Sequence, residues 1–258
     1  MRLNSKVAVI TGSGRGIGAA IASRFAAEGA RVAILDCSAA EAGSVADAIA
    51  AGSGIARAYV CDIRNEAQVE AAMQAVVDDW AGLDVLVNNA AIFPERVPFA
   101  EVTFAQWKEV IDVNLFGAYR CSQAAARHMI TQQTAGRIVN ISSLNAFRYR
   151  RGTYGQTQYN VSKAALDNLT KGLAMELAPY GIIVNGIAPG FVRTRLSAAD
   201  SLDDPDFRRE YLESGRIPLR RYGSPEDCAR LALFLASEEC TWITGETIHQ
   251  DGGMHFTF

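Results

Sequence analysis

A chain of 258 residues, 49% of them hydrophobic, can bury a sizeable core and still fold as one α/β unit, and its net charge of −3 argues against nucleic acid as the main partner. Five scattered cysteines (Cys37, Cys61, Cys121, Cys228, Cys240) without a CxxC pair, and only three histidines, speak against a disulfide frame or a metal site. No stretch approaches the roughly 18 uninterrupted apolar residues of a membrane span, and MRLNSKVAVITGS lacks the apolar run of a signal peptide, so a cytoplasmic protein without a membrane partner is expected.

In chain order, short β-branched apolar runs alternate with helical stretches. Strand Lys6–Thr11 leads through TGSGRGIG into a helix over Gly18–Glu28. Strand Arg31–Asp36 precedes helix Ser38–Ala50, and strand Ala56–Cys61 precedes helix Glu66–Ala81. Strand Leu83–Asn88 then gives way to a long helix over Thr103–Thr131. Strand Arg137–Ser142, helix Gln158–Tyr180, strand Ile182–Ala188, helix Ser224–Ala236 and strand Thr247–Gln250 follow. The last helix opens on Ser224-Pro225-Glu226-Asp227, a cap residue with proline in the first turn. Such near-continuous apolar strands fit a sheet covered on both faces, and their alternation with helices means repeated βαβ units. The expected fold is a single α/β domain over 1–258, Rossmann-type, with a doubly wound parallel sheet of about seven strands and helices on both faces. The irregular, charged stretch 191–222 is expected to be a substrate loop or lid.

The glycine turn carries the first chemistry. Gly12, Gly16 and Gly18 follow the strand VAVIT, but Ile17 occupies the third glycine position of a strict GxGxxG. Glycines there still permit a tight turn and bring backbone N–H groups and a helix N-terminus against a pyrophosphate. Asp36 ends the second strand, where a carboxylate accepts hydrogen bonds from ribose hydroxyls and repels a 2′-phosphate. Arg15 is a counter-signal, since a guanidinium could hold that phosphate. With Cys37 rather than a basic residue after Asp36, the expected cofactor is NAD.

The second chemistry lies in YNVSK. Tyr159 and Lys163 fall one helical turn apart on one face, with Ser143 sixteen residues upstream. An ammonium beside a phenol lowers the phenol's pKa, which makes it a base for an alcohol and, protonated, an acid for a carbonyl. Beside a dinucleotide turn, this pair points to hydride transfer.

The ordered series TGSGRGIG, CDI, NNAA, the VN of DVNLFG, NISS, YNVSK and IAPGFVRT resembles the short-chain dehydrogenase/reductase family over nearly the whole chain. The resemblance implies cofactor contacts from Gly12, Arg15, Gly16, Ile17, Gly18, Asp36, Asp62, Ile63 and Asn89, with Pro189, Gly190, Val192 and Thr194 around the nicotinamide. It implies Tyr159 as acid/base, Ser143 as the group holding the substrate oxygen, Lys163 on the tyrosine and the nicotinamide ribose, and Asn114 holding a water that links Lys163 to solvent. It also implies a homo-oligomer, a tetramer more than a dimer, built on Thr103–Thr131 and Gln158–Tyr180. The C-terminal MHFTF is a further contact candidate through Phe256 and Phe258. Two departures stand out. Ala91 replaces the family's glycine in NNAG, and the segment from Ser143 to Tyr159 is about three residues longer than the family's. Tyr154 in that loop is a decoy, because Gln158 and not lysine stands four residues on.

That loop carries Arg148, Arg150, Arg151 and Gln156, with Arg193 and Arg195 after the nicotinamide turn. Arginine forks suit carboxylates. The expected substrate is a small anionic hydroxylated molecule, such as a sugar acid or 2-keto-3-deoxy sugar acid, contacted by Ser143, Arg148, Arg151, Gln156, Tyr159 and Arg193. The competing explanation makes these arginines surface salt bridges or subunit contacts. Neutral sugars or polyols, an NADPH-dependent reductase of a carrier-linked ketone, and a non-catalytic NAD sensor are the other functions considered.

Overall fold

Seven short strands pair in the order β3-β2-β1-β4-β5-β6-β7, every neighbouring pair parallel. The computed structural model describes residues 1–149, 156–194 and 202–257. The strands are β1 Val7–Thr11, β2 Arg31–Asp36, β3 Ile55–Val60, β4 Val85–Asn88, β5 Arg137–Ile141, β6 Ile183–Pro189 and β7 Thr247–Gln250. The helices are α1 Gly16–Ala27, α2 Ala39–Ala51, α3 Glu66–Trp80, α4 Phe104–Ile111, α5 Ala118–Thr131, α6 Thr157–Leu177, the one-turn α7 Pro205–Arg208 and α8 Pro225–Ala236.

Alternation along β1 divides the core. Ala8 and Ile10 face one layer, where Ile21 and Phe25 of α1 meet Leu233 of α8, with Ile49 of α2 in the same cluster. Val7 and Val9 face the other, with Met73 of α3, Met129 of α5 and Leu177 of α6. The doubly wound sheet follows from this two-sided burial. The outer strands differ from the expectation of full cover: Ile55 and Val60 of β3 are exposed, because an edge strand has a neighbour on one side only.

The expected long helix Thr103–Thr131 is interrupted. Its middle, Asp112–Gly117, is a π segment between α4 and α5. π segments inside helices often mark functional sites, and this one contains Asn114. The helix Gln158–Tyr180 ends as α6 at Leu177, and Pro179 falls in a following 3-10 turn that Gly181 closes at φ 73°. The 191–222 stretch, expected as a lid, contains α7 and a π turn over Arg209–Glu213. Its Tyr211 and Leu212 are buried with Leu144, Ile217 and Met254.

A chain of buried polar groups joins β4, β5, α5 and α6. Asn88 Nδ2 donates to Ser122 Oγ and to Asn140 Oδ1, both at 2.8 Å, and Asn140 Nδ2 donates to Thr170 Oγ1 at 2.9 Å. It fixes the two strands whose ends carry the site.

Candidate active site

At the C-terminal edge of the sheet two cavities meet. The larger, of ≈ 860 Å³, runs along the ends of β1 to β4, and the smaller, of ≈ 490 Å³, lies beyond β5 and β6. Ile17, Asn89, Ala91 and Thr194 line both and form the passage between them.

In the larger cleft, Gly12 and Gly16 take φ of 60° and 58°, the left-handed region that favours glycine. Gly18 is constrained by approach instead: a Cβ there would lie 2.5 Å from Asn89 Nδ2 and from the Gly12 carbonyl. Asn89 Nδ2 donates to the carbonyls of Thr11 and Gly12, each at 2.9 Å, tying β4 to the turn. The N-terminus of α1 has no side-chain cap from Arg15 and no acidic residue in its first turn. Its amide groups and dipole are therefore available to an anion, and the donors present fit a dinucleotide pyrophosphate.

Most charged groups lining the adenosine end have close hydrogen-bond or ion-pair partners. Asp36 accepts from Gly14 N at 2.9 Å and Ser38 N at 3.0 Å. The Arg15 guanidinium lies 3.5 Å from Glu41, and Arg64 forks the Asp62 carboxylate at 2.7–3.0 Å, which holds that carboxyl below the usual range. Ile63 packs under Gly117, where a Cβ would sit 2.4 Å from its Cδ1. Ala91 is not among the positive-φ residues, so alanine sits there without strain.

The smaller cavity holds the second motif. Ser143 caps a one-turn helix after β5, its Oγ accepting from Asn145 N at 3.1 Å, and it hydrogen-bonds Tyr159. Burial pushes the Tyr159 phenol up to about 12, and the Ser143 bond opposes that rise. Lys163 Nζ donates to the Ile141 carbonyl at 2.8 Å and stands 5.9 Å from the Tyr159 ring centroid. Burial brings Lys163 down to about 8. The phenol's direct hydrogen-bond partner is thus Ser143, while the ammonium addresses the ring. Ser142 also lines this cavity, and its Oγ reaches the Lys163 carbonyl at 3.4 Å. Of the two serines, Ser143 is the one that meets Tyr159.

Asn114 Oδ1 accepts from Ile92 N at 2.8 Å, and its Nδ2 donates to the Ile92 carbonyl at 3.0 Å and Ser162 Oγ at 3.1 Å. The Asn114 side chain is thereby committed to main-chain and side-chain partners on two neighbouring segments.

Pro189, Gly190, Val192 and Thr194 line the smaller cavity, as do Arg148 and Gln156. Arg193 does not. It makes a bidentate ion pair with Asp203 at 2.7 and 3.0 Å, with both side chains partly exposed. Arg151, with Arg150, Tyr154 and Arg195, lies outside the described residues. Sequence reasoning missed Phe93, whose ring centroid is 4.7 Å from that of Tyr159, together with Glu95, Arg96, Phe207, Tyr211 and Met254. None belongs to a motif; they reach the cavity from separate loops. At the C-terminus, Met254 is buried and His255 pairs with Asp251 at 2.9 Å, while Phe256 is exposed; Phe258 lies outside the described residues.

A model of the family described as Enoyl-(Acyl carrier protein) reductase matches residues 12–255. The 3-oxoacyl-(acyl-carrier-protein) reductase FabG of Aquifex aeolicus is 42% identical over 255 residues, 98% of this chain and 99% of that one. Galactitol 2-dehydrogenase of Agrobacterium fabrum is 39% identical over 261 residues, 98% of each chain. The structure of a gluconate 5-dehydrogenase from Burkholderia cenocepacia J2315, in complex with NADP and tartrate, matches at TM-score 0.92 and 35% identity, covering 100% of this chain and 98% of the other. The chain belongs to the short-chain dehydrogenase/reductase family, the nicotinamide-dependent oxidoreductases of CH–OH groups.

Proposed function

We propose that this protein is an NAD-dependent dehydrogenase that oxidises a secondary alcohol or hemiacetal carbon of a small, hydroxylated, anionic substrate. The carrying observation is the convergence of Ser143, Tyr159 and Lys163 on a cavity that opens, past Ile17 and Thr194, into a cleft built for a dinucleotide. The bound nicotinamide supplies hydride acceptance. Tyr159, as phenolate, takes the hydroxyl proton of the substrate, and Ser143 fixes the oxygen that loses it. Lys163 stabilises the phenolate by its charge, and the backbone carbonyl of Asn114 holds the water that returns the proton to solvent. Gly12, Gly16 and the α1 N-terminus hold the pyrophosphate, and Lys163 and Asn89 hold the nicotinamide half.

Asp36 supports NAD over its 2′-phosphorylated form, and the structure adds a second reason. Arg15, which could have held such a phosphate, is engaged by Glu41, and Arg64 is engaged by Asp62. For the anionic substrate the support is Arg148 and Arg96 on the cavity wall, and a structural relative that carries tartrate. Leu202, Phe207 and Tyr211 of the 191–222 segment cover the cavity as its lid.

A second reading is the reduction of a ketone with an apolar arm. It is favoured by the aromatic wall of Phe93, Phe191, Phe207 and Tyr211 and by the FabG relatives. Titrating NAD and NADP by quenching of Trp fluorescence, then assaying hydroxy acids with the tighter cofactor, separates the two. Preference for NADP together with indifference to every hydroxy acid would favour the reductase.

We also infer a homo-oligomer, a tetramer by the family's habit. Phe104, Phe116 and Tyr119 along α4–α5, Val161 and Met175 on α6, and Trp242 are exposed large apolar residues. Light scattering showing a monomer at micromolar concentration would remove this inference.

A further inference from the structure

Asp167 is a buried carboxylate that lines neither cavity. It stands on α6 one turn beyond Lys163, so Tyr159, Lys163 and Asp167 succeed one another at four-residue intervals on one helix face. Lys163 and Asp167 are 2% and 6% exposed. Thr247 Oγ1 donates to Asp167 Oδ1 at 3.1 Å, which ties α6 to β7, while Oδ2 is buried without a hydrogen-bond partner among the described residues. A neutral asparagine would serve that tether equally well through its amide oxygen. What the carboxylate adds is charge, placed a helical turn from a buried ammonium whose direct acceptor among the described residues is a neutral carbonyl.

We propose that Asp167 is a positioning residue for the proton-handling pair: its carboxylate keeps the buried Lys163 in the ammonium form. This rests on the reading of Tyr159 and Lys163 given above. An isolated buried ammonium sheds its proton to escape desolvation, and a nearby opposite charge offsets that tendency. Burial pulls Lys163 toward neutrality and Asp167 opposes it; burial likewise raises Asp167, and Ser142, Thr247 and Lys163 oppose that rise. The groups facing the pair are few. Lys163 meets the Tyr159 ring from its own helix and the Ile141 carbonyl from β5. Asp167 faces Ser142 beyond β5, and Thr247 and His249 from β7. His249 is itself drawn toward the neutral form by burial and by His255, which Asp251 holds.

The test uses the full chain with ¹³C-labelled lysine and no cofactor. The protein has four lysines, and the Lys163 signal is the one missing in Lys163→Arg. In Asp167→Asn the Lys163 titration midpoint is expected to fall by about one pH unit, a tenfold loss of proton affinity. Asp167→Glu keeps the charge and is expected to stay within roughly 0.3 units of the parent. Thr247→Val cuts the tether but leaves the charge, and its midpoint stays near the parent's as well. An unmoved midpoint in Asp167→Asn overturns the proposal. So does a fall of about one pH unit or more in Thr247→Val, which keeps the charge, and this arm holds even if Asp167→Asn does not fold. A pH profile of kcat on the same variants separates the two readings. A moved Lys163 midpoint with an unmoved rate profile would leave the charge assignment standing and sink the role of Lys163 in turnover.

Discussion

The larger cleft is lined by the glycine turn and by residues at the ends of β1 to β4, with hydrogen bonds from Asn89 to Thr11 and Gly12 tying β4 to the turn. The substrate cavity beside it is walled by side chains from five separate stretches: 93–96, 141–149, 156–163, 189–194 and 202–211, with Met254 closing one end. Ser143, Tyr159 and Lys163 line the second cavity and not the first.

The sharpest way to break this division is to remove one atom in the second cavity. Tyr159→Phe deletes the phenol oxygen and leaves the ring against Phe93. It is expected to lower kcat about a thousandfold, within the range for loss of a general base, while cofactor binding stays intact by fluorescence titration. Retained turnover would mean that the proton leaves by another route.

Next in size comes the cleft's intolerance of added volume. Gly18→Ala places a methyl against Asn89 Nδ2 and the Gly12 carbonyl and is expected to cost about 1–3 kcal/mol with loss of cofactor affinity. Gly172→Ala in α6 meets nothing within 4 Å and should stabilise by roughly 0.4–1 kcal/mol. Equal effects of the two in urea melts would show that close approach at the turn is not what glycine provides.

Cofactor choice is the third test. Glu41→Gln frees Arg15, and Asp36→Asn removes the charge facing a 2′-phosphate. Together they are expected to shift the NADP-to-NAD ratio of kcat/KM about tenfold or more toward NADP, ~1.4 kcal/mol. No shift would place the discrimination elsewhere in the cleft.

On the substrate side, Arg148→Ala is expected to raise KM for hydroxy acids about tenfold and to leave neutral polyols unaffected. Arg193→Ala should change KM less than about twofold, since its exposed pair with Asp203 contributes little. Unaltered KM for every acid in Arg148→Ala would remove the anion clamp.

The pH dependence gives the smallest and most diagnostic effect. Oxidation needs the phenolate, so its rate rises with pH through the apparent pKa of the coupled Tyr159–Lys163 pair; reduction needs the phenol and falls over the same interval. Profiles that are flat or parallel in the two directions would exclude Tyr159 as the shared acid and base.

The two regions also differed in how much the chain disclosed. The cleft was legible because glycine spacing, a strand-end aspartate and NNAA are local patterns whose physics is local. The α/β alternation was legible for the same reason, since burial on both faces leaves unbroken apolar strands such as Val85–Asn88. The π segment at Asp112–Gly117 was not, because a π turn has no period of its own within an otherwise helical run. Nor was the fate of the arginines. Arg193 was captured by Asp203 and Arg15 by Glu41, pairings that depend on how loops meet and not on sequence separation. The wall of Phe93, Phe207 and Tyr211 was hidden likewise, as residues that look like core or surface until two distant stretches of the chain converge.

The most direct measurement is NADH formation at 340 nm with NAD across hydroxy acids, neutral sugars and polyols, with Tyr159→Phe beside the parent on each. Turnover of the acids by the parent, reduced about a thousandfold in the variant, is the predicted result. Turnover that survives in Tyr159→Phe, or none with any alcohol although NAD binds, would contradict the account.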